Sequence, residues 1–286
     1  MPTLARVTTP ADSRQARLAR IAAPGVRTEF ASISDDAALA AAGFTPIAAV
    51  VGAASFSLTS TGFYVPPASM WSGGYHVYNT SAHSRTVGEP SRLTVLKSGY
   101  RTVVRRLEDE ATAAGADGVL GIEIGIHIDP TTTGARWDFS ATGTAVRGGG
   151  RTRAQTPFTT HLPGREFAAS LHNDWVPMRF IFAAVMAIRA IDQGSRYQAG
   201  LAGGNGEVQA FTEVINACRH QARQDFSRAA EAAGADAAIP SGIVVSERFE
   251  EYAEAQVTMV GTALGRMRRP PPPAPTLTVL PLNTYR

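Results

Sequence analysis

The sequence predicts an α+β fold, a tandem duplication of a small β-α-β-β unit in which an antiparallel sheet packs on one long helix. Three observations carry that expectation. A short phrase is spelled twice, Ala113-Ala114-Gly115-Ala116-Asp117 and Ala232-Ala233-Gly234-Ala235-Asp236. Each copy closes an amphipathic helical run, and each is followed by strand-like sequence ending in Gly-Thr-Ala, at Gly143 to Ala145 and Gly261 to Ala263. Recurrence of several signals in one order at nearly constant spacing is the mark of a repeated unit.

The elements follow in order. Residues 1–30 lack sustained periodicity and form an N-terminal arm. Ser34-Asp35-Asp36 offers an N-cap for a short helix through Ala42, stopped by Gly43. Phe44-Thr45-Pro46 then leads into an apolar strand from Ile47 to Phe56, as Trp175-Val176-Pro177 leads into Phe180 to Ile188. Between strand and helix the halves diverge. The first inserts Gly62 to Pro90, rich in Phe63, Tyr64, Trp71, Tyr75 and Tyr78, and the second uses Gly194 to Gly206; both read as loops.

The helices are the clearest local signal. Leu93, Leu96, Tyr100, Val103, Leu107, Ala111 and Ala114 recur at three and four residues, as do Val208, Phe211, Ile215, Cys218, Ala222, Phe226, Ala229 and Ala233. Gly115 and Gly234 stand where a left-handed residue ends a helix. Hairpins follow, one with Ile122, Ile124, Ile126 and Ile128 on one face before a turn at Pro130 to Gly134, the other running from Ala237 to Leu264. The expected organisation is an arm at 1–30, a first repeat at 31–147, a flexible Gly-rich linker at 148–164, a second repeat at 165–267 and a Pro-rich tail at 268–286. Three strands and one helix bury little alone, so pairing of the repeats or a homo-oligomer is the expected remedy.

Composition narrows the function. Of 286 residues, 44% are hydrophobic and 18% charged, a globular balance. The net charge of +3 resides mainly in arginines of the arm, linker and tail, with no aromatic-basic groove, so nucleic acid is not an expected partner. Cys218 is the one cysteine, which excludes an internal disulfide. No secretory signal or membrane span is expected, since Val176 to Ile188 is too short to cross a bilayer and contains Arg179; a cytoplasmic location follows as the default.

The helix ending in Ala-Ala-Gly-Ala-Asp, the strand Gly118-Val119-Leu120-Gly121-Ile122 and Gly143-Thr144-Ala145-Val146 together resemble the YbjQ family. The second half matches at Gly234-Ala235-Asp236-Ala237 and Gly261-Thr262-Ala263 but has Ile239-Pro240-Ser241-Gly242 in place of the glycine-flanked strand. The likeness covers roughly residues 43–147 and 165–266. It implies a strand-helix-strand-strand fold, often in a pentameric ring, and a heavy-metal-binding label carried in the family's name. A tandem chain would supply two stacked layers of such a ring.

Cys218 and His220 are about 200° apart on a helix and cannot grip one ion together; Cys218 reads as a core residue. His127 and Asp129 share a strand face, with Glu123 on it about 13 Å from His127 at the usual rise per residue. His76 and His83, in the long loop, complete the candidate metal ligands. Asp117 and Asp236 follow helix-ending glycines and read as local Asx turns. Gly203 to Gly206 lacks the lysine and hydroxyl of a P-loop. No catalytic residue and no cofactor is expected. The sequence therefore points to a non-enzymatic ring-forming structural or binding protein that recruits a partner through the aromatic loop (Tyr64, Trp71, Tyr75, Tyr78) or the tail (Leu277, Val279, Leu280). The alternative is a metal-ion-binding protein with sites formed between subunits.

Overall fold

A computed structural model describes residues 15–16, 19, 30–59, 75–78, 91–131, 134–150, 156–190, 193–199, 206–249 and 252–267. Helix α1 (Ile33–Ala41) starts two residues earlier than a cap at Ser34 would place it. Ser32 is its N-cap, and Ser32 and Asp35 close a reciprocal capping box. Strand β1 (Phe44–Thr59) follows, then β2 (Tyr75–Tyr78), the long helix α2 (Ser91–Ala113), and the hairpin β3 (Gly118–Thr131) and β4 (Gly134–Gly148). The second half runs β5 (Phe158–Thr159), α3 (Gly164–His172), β6 (Trp175–Ala190), α4 (Gln193–Ala199), α5 (Gln209–Ala232), β7 (Ala237–Phe249) and β8 (Tyr252–Arg266). The class is α+β.

Among the described residues the strands form two sheets of four, ordered β1-β4-β3-β5 and β2-β6-β8-β7. The two halves share their register. Pro46 faces Val146 and Pro177 faces Leu264, and each pairing bulges by one residue just beyond the proline. A second bulge opens opposite Gly143 between Leu120 and Glu123, and its counterpart lies beyond Pro240, before Gly242. Gly115 and Gly234 both take φ +71°, in the left-handed region that only glycine enters without a steric cost, so both helices stop at the same point of the phrase. Asp117 and Asp236, expected in local Asx turns, also reach across their hairpins. Each carboxylate accepts an amide N–H at the far end of its hairpin, Gly148 at 2.9 Å and Arg266 at 2.7 Å.

The layers alternate sheet, helix, sheet, helix. α2 packs on the first sheet through Val103, Leu107 and Ala111, and its other side meets the second sheet, where Phe180, Ala184, Met186 and Ile188 join the same core. Tyr100 stacks on Phe182 with ring centroids 5.0 Å apart. The opposite face of β6, Ile181, Ala183, Val185 and Ala187, packs under α5 with Val214, Cys218, Ala222 and Phe226. β6 is thus covered on both faces, which accounts for its unbroken apolar run. β1 is covered on one: Val50 and Ala54 face α2, while Ala53, Ser55 and Ser57 are exposed. Along the edge of β1, Glu110 accepts the Val51 N–H at 2.8 Å and Arg106 donates to the Ala53 carbonyl.

Three stretches differ from the sequence expectation. The long insertion contributes β2, whose backbone pairs antiparallel with Met186 to Arg189 of β6, so Tyr75, His76 and Tyr78 belong to a strand rather than a loop. The loop expected at 194–206 overlaps a helix, Gln193–Ala199. The linker is not flexible throughout, because Phe158–Thr159 pairs parallel with Gly118 and Val119. Its neighbours Leu162 and Phe167 complete a small core with Leu39, Leu120 and Val146. Apolar side chains at a two-residue strand give no periodicity to read.

Candidate functional site

The sequence candidates scatter. His127 and Asp129 do share the outer face of the first sheet, with Nε2 and Oδ1 2.8 Å apart, and the other oxygen of Asp129 accepts from Arg136. Arg136 also binds Asp138, whose carboxyl is held below the usual range first by the Ser55 hydroxyl and then by Arg136 and His127. These groups satisfy one another as a surface network. His76 lies on β2 of the other sheet; His83, Tyr64, Trp71, Leu277, Val279 and Leu280 fall outside the described residues. Among the described residues, no group of three His, Cys, Asp or Glu side chains is placed to hold a metal ion. Cys218 is buried, its thiol donating weakly to the Val185 and Ala255 carbonyls, and burial pushes its pKa up to about 12. At such a value the thiolate, which is the ligand and nucleophile, is scarce.

A concavity lies elsewhere, at the seam between halves. A cleft of about 690 Å³ opens between α2, the start of β6 and α5. Four arginines (Arg101, Arg105, Arg179 and Arg228) and two carboxylates (Glu108 and Asp225) line it over a floor that includes Phe180 and Phe182. Burial raises the Glu108 carboxyl pKa, with Arg179 pulling the other way. Asp225 is buried and bonds Gln221 at 2.9 Å and Arg228 at 3.3 Å. The cleft thus has an excess of guanidinium groups and suits an anionic side chain or small anion. Arg101 and Arg105, one turn apart on α2, were visible in sequence; nothing there placed Arg179 and Arg228 beside them.

The seam itself is specific. β5 threads it: Thr160 Oγ1 lies 2.9 Å from Thr262 Oγ1, the His161 N–H donates to Thr262, and the Phe180 N–H donates to Thr159. Burial lowers the His161 pKa, while its Nδ1 sits 2.7 Å from Thr262 Oγ1. Asp35 of α1 accepts the Arg165 N–H at the start of α3. The Asp35 carboxyl is lowered although burial opposes it, because hydrogen bonds from Ser32 and Arg165 outweigh the desolvation. Among the described residues no helix is long and apolar enough to cross a membrane.

Residues 182–265 match the sequence model of the YbjQ_1 family, described as "Putative heavy-metal-binding". The match lies within the second half of the chain, from inside β6 to β8. Along most of its length the chain is similar to the "Encapsulin nanocompartment protein Rv1762c" of Mycobacterium tuberculosis, at 26% identity over 247 residues, 84% of this chain and 86% of the relative. No solved structure matches the chain. The chain is thus similar, over part of its length, to a family described by metal binding and, over most of it, to a protein named for a compartment.

Proposed function

We propose that this chain is a non-enzymatic structural protein that closes into a ring with copies of itself and serves as a component of a protein nanocompartment. One observation carries the reading. Within the chain, α2 of the first half lies on the outer face of the second sheet, a head-to-tail contact, while the corresponding surfaces at the two ends, the outer face of α5 and the outer face of the first sheet, are exposed. A head-to-tail contact repeated between chains generates a closed ring when its rotation allows. On the two end surfaces, Arg219 and Arg223 are exposed on α5 and Glu123 is exposed on the first sheet, where Arg136 already pairs with Asp129 and Asp138. On this reading the halves are copies of one unit. The YbjQ resemblance supports a ring of five chains, and the compartment role rests on the relative matched along most of the chain. Partner contact falls to the aromatic insertion around Tyr64 and Trp71.

Native mass spectrometry of the full chain at micromolar concentration tests the ring. Five chains of 30.2 kDa give a particle near 150 kDa, and Arg219→Glu with Arg223→Glu is expected to disperse it. A 30.2 kDa species for the unaltered chain refutes the assembly. Co-fractionation of the native protein with megadalton particles tests the compartment role. A second reading, metal held between subunits, is favoured by the family's description and by the His127–Asp129 pair on the open face. It requires at least one equivalent of a transition metal per chain in the purified assembly by elemental analysis.

A further inference from the structure

In the first half, the outer edge of β3 is closed by the segment that follows β4. The Phe158 N–H donates to the Asp117 carbonyl, the Thr160 N–H to Val119, the Ile122 N–H to Thr160 and the Gly121 N–H to Leu162, at 3.0–3.1 Å. The Thr160 hydroxyl accepts the Leu162 N–H at 3.0 Å, which turns Leu162 inward over Leu120. β7 is the corresponding strand of the second half, Ile239 facing Thr262 as Leu120 faces Thr144. Among the described residues nothing pairs with its outer edge. Leu120 is 2% exposed and Ile239 41%, and Val244, at 67%, adds to a bare apolar strand. An uncovered edge of this kind is one that proteins ordinarily protect.

The chain carries a sequence suited to cover it. Pro157-Phe158-Thr159-Thr160-His161-Leu162-Pro163 reappears as Pro275-Thr276-Leu277-Thr278-Val279-Leu280-Pro281, with both prolines, the second threonine and the leucine in place. The position along the chain also matches: Pro157 follows the end of β4 at Gly148 by nine residues, and Pro275 follows the end of β8 at Arg266 by nine. Side-chain sizes compensate across the proposed pair. Gly118 leaves room for the Phe158 ring, which would lie 2.2 Å from a Cβ there. In the second half Ala237 supplies that Cβ and Thr276 replaces the ring.

We propose that Pro275–Pro281 adds to the outer edge of β7 of its own chain as a short parallel strand, with Leu280 seated over Ile239. Three of the four backbone bonds transfer, from Thr276 N–H to Asp236, Thr278 N–H to Ala238 and Ser241 N–H to Thr278. The fourth is absent because Pro240 stands where Gly121 donates. The tail is thereby assigned to its own chain rather than to a foreign partner. The inference rests on the correspondence of the two halves and not on the ring. The competing occupant is the segment before Ser32 of a second copy, since the Phe30 N–H donates to Thr144 as the His161 N–H donates to Thr262.

Two measurements on the full chain decide it. Ala237→Cys with Thr276→Cys is expected to form a disulfide within one chain under air oxidation, Cys218 staying reduced in its core. In the otherwise unaltered protein the Ser241 amide is expected to exchange roughly tenfold or more slowly than in the Leu280→Asp variant. A disulfide between chains, no disulfide, or equal Ser241 protection in both proteins overturns the proposal, the last by showing that something other than the tail covers β7. A monomer with a protected, Leu280-dependent Ser241 amide upholds it while refuting the ring.

Discussion

Truncating the aromatic pair at the seam tests whether the halves share one core. Tyr100 is 7% exposed and stacks on the half-buried Phe182 at 5.0 Å. Removing a well-buried aromatic ring costs about 3–5 kcal/mol and a half-buried one less, so Tyr100→Ala is expected to lose about 3 kcal/mol and Phe182→Ala about 2. At roughly 2–4 °C per kcal/mol for a chain of this size, Tyr100→Ala lowers Tm by about 6–12 °C. The double variant should lose less than the sum, by about 0.5–1.5 kcal/mol, because each ring's stacking partner is already gone. Urea unfolding followed by tryptophan fluorescence and far-UV circular dichroism, at two protein concentrations to separate assembly from folding, reads these values. Two well-separated transitions, with Tyr100→Ala moving only one and Phe182→Ala only the other, would refute a common core.

The remaining predictions concern single groups. Asp117→Ala removes the acceptor of the Gly148 N–H and is expected to cost about 1.5–3 kcal/mol. Asp236→Ala, whose side chain is exposed, should cost under about 1 kcal/mol by the same urea assay. Burial keeps His161 neutral, its folded pKa below the ordinary 6.5. Above that value the group is neutral folded and unfolded alike; as pH falls through it the unfolded chain binds the proton first, so stability is full above pH 6.5 and declines below. His161→Asn should flatten the decline between about pH 7 and pH 5, and an unchanged slope would assign it to other groups. Cys218, its thiol pushed up to about 12 and buried, should resist aromatic disulfide reagents in the folded protein and react once the chain is unfolded in urea.

The parts of the fold carried by local periodicity were legible in the sequence. The stripe from Leu93 to Ala111 and the glycines at 115 and 234 located the long helices and their ends to within a residue or two. The alternation in Ile122, Ile124 and Ile126 located the hairpin. What escaped was written in non-local partners. Phe158 and Leu162 fill a core with α1 and β3, both of which lie far from residue 160 in the sequence. Asp117 looked like a turn residue because its acceptor role is met at Gly148, 31 residues on. The arginine cleft joins positions from α2, β6 and α5, so its charge becomes visible only once the second half folds against the first. His127 and Asp129 were correctly placed on one face, but Arg136, which occupies the carboxylate, comes from the return strand.

The two-sided burial of β6 bears on how the gene product tolerates cleavage. Severed from its partner, the second half would turn Phe180, Phe182, Met186 and Ile188 toward water, and the first would do the same with Tyr100. A proteolytic nick at 151–155 is therefore expected to leave two fragments clasped together and co-eluting, whereas either fragment synthesised alone would precipitate. On that expectation the contact between the halves, and not the connecting peptide, holds the protein together.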